Sequence, residues 1–186
     1  SGWAADRFGA RRVFIFVTLV FVVGSLLCGL SRSLGTFVLF RIVQGAGAAM
    51  MIPVGRAIVV GVSPRESLVK SMILLTTPAM IGPLIGPPLT GFILAVASWP
   101  WVFYLNVPVG LLGMAAVYGF VPKLTQPHPG RFDSVGFGLA AVAMGAAMAV
   151  TETFGFGLVS WKTQLVAVAV AVAAGIGFVV HSRRKA

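Results

Sequence analysis

Arg41 and Gln44 are the residues whose types and spacing most directly suggest chemistry. They sit in Leu39-Phe40-Arg41-Ile42-Val43-Gln44-Gly45-Ala46-Gly47-Ala48-Ala49, inside a long apolar stretch. Three residues apart, they share nearly one helix face. A charged side chain deep in a membrane helix costs about 2.5–3.5 kcal/mol on insertion scales, so it is expected to serve a function and to face a cavity or a partner. The other reading is an arginine that snorkels to the outer headgroups, which lie about seven residues away, roughly 10 Å at 1.5 Å per residue. A second group opens the chain: Gly2-Trp3-Ala4-Ala5-Asp6-Arg7-Phe8-Gly9-Ala10-Arg11-Arg12. Asp6 is the acid among three arginines. It either pairs with an arginine or a helix N-terminus, forming a breakable lock, or stays solvated in a basic loop.

Covalent chemistry is not expected, and neither is an enzyme. Cys28 is the single cysteine, and His128 and His181 are distant from each other and read as solvated, so no metal spacing appears. No Gly-Lys-Ser/Thr loop is present to cradle a phosphate, and no cofactor is implied. The four acids, Asp6, Glu66, Asp133 and Glu152, all fall in or near expected loops. An acid that pairs with Arg41 at mid-membrane is therefore expected outside these residues. The chain has no starting Met and opens in a loop-like motif, which reads as an internal piece of a longer protein.

These groups need elements to hold them, and composition names the class. The chain has 186 residues, 58% of them apolar and 10% charged, with net charge +10 and mean hydropathy +1.00. A soluble domain averages roughly 45–50% apolar and about 25% charged residues. Disorder needs low hydrophobicity. An all-α, polytopic membrane protein is what remains. Six stretches are long enough to cross the bilayer: about 13–30, 34–60, 71–96, 102–121, 135–150 and 165–180. The apolar runs are far too long for alternating barrel strands.

The high positive charge sorts by side. With alternating connections, Arg7, Arg11, Arg12, Arg56, Arg65, Lys70, Lys123, Arg131, Arg183, Arg184 and Lys185 share one side. Arg32 and Lys162 take the other, and Arg41 lies within a span. The positive-inside rule makes the first side cytoplasmic. The charge is thus an orientation signal, and no nucleic-acid partner is expected. Trp3, Trp99, Trp101 and Trp161 all fall at expected interfaces, Trp161 just outside the sixth span. Residues 122–133, rich in Pro and Gly, read as a cytoplasmic linker between 1–121 and a helix hairpin at 134–186.

Two further runs complete the set. The third span holds Thr76-Thr77-Pro78-Ala79-Met80-Ile81-Gly82-Pro83-Leu84-Ile85-Gly86-Pro87-Pro88-Leu89-Thr90-Gly91, where each proline removes a backbone donor and Gly82 and Gly86 make one small face. Then comes Trp99-Pro100-Trp101-Val102-Phe103-Tyr104-Leu105-Asn106-Val107-Pro108-Val109-Gly110. Its tryptophans anchor the outer interface, Asn106 can bond across helices, and Pro108 is expected to kink the start of the fourth span. Met50, Met51, Met72 and Met80 read as packing, although a flexible Met surface suits varied ligands.

Taken together, these motifs resemble the major facilitator superfamily, in particular its fourteen-helix drug:proton antiporters of the EmrB/QacA type. The opening run resembles the loop between helices two and three, with Ala10 where many members are basic. The Arg41 run resembles the fourth-helix signature. Gly82, Pro83, Gly86 and Gly91 resemble the antiporter signature of helix five, with Pro78 and Pro87 replacing common glycines. Trp99, Trp101, Asn106, Pro108 and Gly110 resemble a run of helix six, with Pro100 where Arg is usual. Arg131-Phe132-Asp133 and Gly136 resemble the entry to the two additional helices.

The resemblance implies the end of helix two through helix eight: a partial helical bundle over 1–121 and the extra hairpin over 134–186. It implies proton-coupled efflux of amphipathic or drug-like compounds across the cytoplasmic membrane. Arg41 would serve proton coupling and Gln44 the cavity. Gly2, Asp6, Arg7, Gly9, Arg11 and Arg12 would form the inner gate loop. The expected partners are the lipid bilayer, protons, small amphipathic substrates and the remaining helices of the same transporter. An exporter of one metabolite, siderophore or peptide, and a non-transporting sensor, scaffold or inactive fragment, are the competing readings.

Overall fold

The computed structural model describes residues 2–122, 133–156 and 161–185, with the side chains of 153–156 and 184–185 left undescribed. The expected linker residues 123–132, with Lys123, His128 and Arg131, lie outside the described residues. The chain forms two compact units, Ser1–Gly130 and Arg131–Ala186.

The first unit contains α1 (Gly2–Phe8), α2 (Ala10–Leu30), α3 (Leu34–Val62), a 3₁₀ turn (Arg65–Ser67), α4 (Leu68–Val96), α5 (Trp101–Tyr104) and α6 (Asn106–Phe120). The second contains α7 (Ser134–Phe156) and α8 (Trp161–Lys185). Among the described residues, six helical stretches are long and apolar enough to cross a membrane. Helices are the form expected there, because they satisfy their own backbone groups without water. The 21 residues of α2 span about 30 Å, one hydrocarbon thickness. At 29 residues each, α3 and α4 are longer, so their ends reach the headgroups.

The opening run is not the loop expected from its glycines. Gly2–Phe8 is helical, and the connection shrinks to Gly9, whose φ of 85° suits glycine alone. Gly2 opens α1, with free space where a Cβ would stand. Ala5 of α1 joins Ala10, Val13, Val17, Val54 and Ile58 in the apolar core.

Pro53 and the four prolines of α4 leave their helices unbroken. The hydroxyls of Thr76 and Thr77 bond back to the carbonyls of Met72 and Ile73, so neither is left bare in lipid. The helix break lies at the start of the fourth span, where Pro108 is expected to act. Pro108 sits in the first turn of α6, where its missing N–H is not needed, and the break falls before it at Leu105. A proline ring crowds the carbonyl four residues back, here Tyr104 at the end of α5.

In the second unit, Trp161 and Lys162 belong to the first turn of α8 instead of preceding it. His181 is not an isolated solvated residue. Its Nε2 lies 2.9 and 3.1 Å from the carboxylate oxygens of Asp133. Asp133 also accepts the Gly136 N–H at 3.1 Å, capping α7 while tying it to α8. Gly177 of α8 faces Leu139 of α7.

The tightest helix crossing is α2 on α3. A Cβ at Gly47 would stand 2.7 Å from Phe21 N and Val17 O, both backbone. A Cβ at Gly24 would stand 2.7 Å from Gln44 Cα. Backbone cannot yield as a flexible side chain can, so these positions fix the separation of the two helices. Gly47→Leu is expected to lower stability by about 1–3 kcal/mol, the usual cost of overpacking. A denaturant titration in detergent micelles, with Gly45→Leu as the open-face control, measures it.

Candidate functional site

Arg41, Gln44, Ser25 and Asn106 come from α3, α2 and α6 and meet inside the first unit. Arg41 Nη1 donates to Gln44 Oε1 at 2.6 Å. Gln44 Nε2 donates to Ser25 Oγ at 2.5 Å, and Asn106 Nδ2 reaches the same oxygen at 3.5 Å. Cys28 Sγ lies 4.0 Å from Gln44 Oε1. The order of donors follows from chemistry. A guanidinium has only donors, so the amide must turn its oxygen toward Arg41, leaving its NH₂ for Ser25. Gln44 is 3% exposed and Ser25 fully buried. Such groups must be paired, since an unmet polar atom in apolar surroundings costs about 1–3 kcal/mol.

Local sequence explains how the meeting is possible. Gly24 lets the backbone of α3 come against α2 at Gln44, which brings Ser25 within reach. Gly110, buried against Val22, does the same for α6 on α2. Arg41 is more exposed than Gln44, and its guanidinium lies 5.6 Å from the Phe103 ring centroid. That ring is held edge-to-face by Phe37 at 5.6 Å and Trp99 at 6.1 Å. The tryptophan run therefore positions the arginine through Phe103, with the cation on an aromatic face. Among the described residues, no carboxylate lies within ion-pair distance of Arg41, and most of its five donors are uncommitted.

The opening run is placed at the far end of α2. Arg7 lies over Trp3 at 5.3 Å and near Phe8 at 5.8 Å. Arg11 Nη2 donates to the Tyr118 carbonyl at 2.5 Å, with its carbon 4.8 Å from the Tyr118 ring. That carbonyl would bond the N–H of residue 122 in a longer helix, but Pro122 has none. Arg11 thus supplies the donor missing at the C-terminus of α6, where a cation is also favoured. Arg12 is exposed. Asp6 is half-buried, and among the described residues it forms no ion pair with an arginine.

The proline run stands apart from the polar cluster. No residue of α4 is buried, Pro78 and Pro83 included, and a Cβ at Gly82, Gly86 or Gly91 would meet open space. Trp99 and Trp101 are exposed at 45% and 58%, and Trp101 packs edge-to-face on Tyr104. Sequence reasoning missed Ser25, Phe103 and Tyr118. For Ser25 a signal was present: a hydroxyl beside Gly24 in an otherwise apolar span.

The chain matches the family described as Major Facilitator Superfamily over residues 1–183. Its relatives include MdtD proteins, provisionally named for multidrug resistance. The one from Serratia proteamaculans is 42% identical over 188 aligned residues, covering 100% of this chain and 39% of that protein. The Pectobacterium atrosepticum protein is 44% identical over 77% of this chain and 31% of its own length. The Citrobacter koseri protein is 43% identical over 85% and 34%. The chain thus spans less than two fifths of the relatives it matches.

Removing the central amide should matter more than removing the peripheral one. Gln44→Leu leaves both Ser25 and Arg41 short of a partner, whereas Asn106→Leu removes only a long bond. The expected losses are roughly 1–2 kcal/mol for Gln44→Leu and well under 1 kcal/mol for Asn106→Leu. Thermal unfolding in micelles compares them.

Proposed function

This chain belongs to the Major Facilitator Superfamily, and from that premise we propose that it is part of a proton-coupled exporter of amphipathic, drug-like compounds in the cytoplasmic membrane. The observation that carries the reading is the arginine held by Gln44 and Phe103 with donors to spare. The relatives' multidrug-resistance names support the substrate class.

In this reading residues 1–121 are part of the N-terminal bundle and 134–186 are an added hairpin. Two bundles rock around a site near the midplane. Gln44 is the resting partner of Arg41. A permanent guanidinium keeps a nearby carboxylate ionised; when that carboxylate takes a proton, its hold on Arg41 weakens and Arg41 returns to Gln44. The carboxylate comes from a part of the transporter beyond these residues. Gly82, Pro83, Gly86 and Gly91, with Pro78, give α4 a small face for another helix during the rocking. Asp6 and Arg7, anchored through Ala5, gate the cytoplasmic side.

Arg41→Ala is expected to bring efflux driven by a pH gradient down to the level of protein-free vesicles, with insertion unchanged. Uptake of a lipophilic dye into everted vesicles carrying the intact protein reads this, because their cytoplasmic face is outside. Wild-type flux in Arg41→Ala would remove the assignment.

A further inference from the structure

Pro122 cuts short the cytoplasmic end of α6, and α2 repairs it. The Val121 N–H still reaches back to the Val117 carbonyl. The Val121 backbone itself is extended, with φ −92° and ψ 123°, as expected of a residue that precedes proline. Proline then offers no N–H of its own. The Tyr118 carbonyl is thus the first along α6 without a donor from its own helix. Arg11 fills that place through Nη2 at 2.5 Å.

Electrostatics favours the same arrangement. Arg11 lies in the first turn of α2, where that helix's own dipole disfavours a cation. The C-terminus of α6 presents the opposite field, and the Tyr118 ring lies 4.8 Å from the guanidinium carbon. An apolar contact accompanies the polar one. Val121 packs on the core that contains Ala5 and Ala10, one on each side of the Gly9 turn. The end of α6 is therefore seated on the turn that joins α1 to α2. Arg11 is committed inside the first unit, whereas Arg7 lies over Trp3 of its own helix.

We propose that Arg11 is a positioning residue, set apart from Asp6 and Arg7 of the same run. It staples the cytoplasmic end of α6 to the Gly9 turn, so that α2 and α6 move as one body. The staple is required because Pro122 leaves the Tyr118 carbonyl open. Its effect on transport rate rests on the function proposed above; the staple itself is a property of the first unit.

The test combines Arg11→Met with Pro122→Ala in the intact protein. Pro122→Ala restores an N–H at residue 122 and lifts the restriction on Val121, so α6 can close its own bond. Arg11→Met is expected to lower the unfolding temperature in micelles. In the Pro122→Ala background the same substitution is expected to lower it by less than half as much. In everted vesicles, Arg11→Met is expected to cut the maximal rate of dye uptake several-fold, with the half-saturating dye concentration unchanged. Pro122→Ala is expected to restore that rate, and Arg11→Lys to keep most of it. The double variant carries the same loss of charge, so its recovery separates the bond from the charge. Equal losses with and without Pro122→Ala overturn the proposal. So does a full rate in Arg11→Met, or a change confined to the half-saturating concentration. If Arg11→Met fails to insert, insertion of the double variant supports the staple and its failure overturns it. If the wild type takes up no dye, the transport reading fails and the unfolding comparison alone decides the role of Arg11.

Discussion

The Gln44 amide has to satisfy two neighbours at once in an environment that offers no water. Its oxygen takes the Arg41 guanidinium and its nitrogen gives to Ser25. Neither bond is worth much alone; hydrogen bonds between membrane helices average about 0.6 kcal/mol in one well-measured case. Their importance lies in what happens when they are absent, because a buried amide or hydroxyl then faces hydrocarbon. This one side chain therefore fixes which face of α3 meets α2, and it gives a costly arginine a place to rest.

Close approach makes the arrangement possible. Gly24 and Gly47 bring the two backbones together where a side chain would collide with main-chain atoms. Gly110 admits α6, and Asn106 then approaches the same serine. At the other end of α2, Arg11 supplies the donor that Pro122 cannot. Polar bonds at both ends and glycines between them thus hold α2 as the centre of the first unit. By contrast α4 has no buried residue, and its small face is free for other contacts.

The helical class, the six spans and the arginine at issue were legible in the sequence, because hydropathy and the cost of a buried charge depend on composition along one stretch. Gln44 was legible for the same reason, being three residues from Arg41. Ser25 was not, because its importance comes from α3 crossing α2 beside Gly24, a tertiary fact. Phe103 was hidden among many aromatics; only the packing of Phe37 and Trp99 shows that it backs the guanidinium. The opening run misled because its glycines suggest a loop, yet Gly9 alone takes the turn and docking of Ala5 holds the rest helical. His181 misled because a residue near a chain end reads as solvated until the hairpin brings it to Asp133.

The central claim is that Ser25 and Gln44 act as one unit across the α2–α3 crossing. A double-mutant cycle on unfolding free energy, with Ser25→Ala, Gln44→Leu and the pair, measures this most directly. The account predicts a coupling of about 0.6–1.7 kcal/mol, from the average to the maximum measured for hydrogen bonds between membrane helices. Strict additivity of the two losses would contradict it.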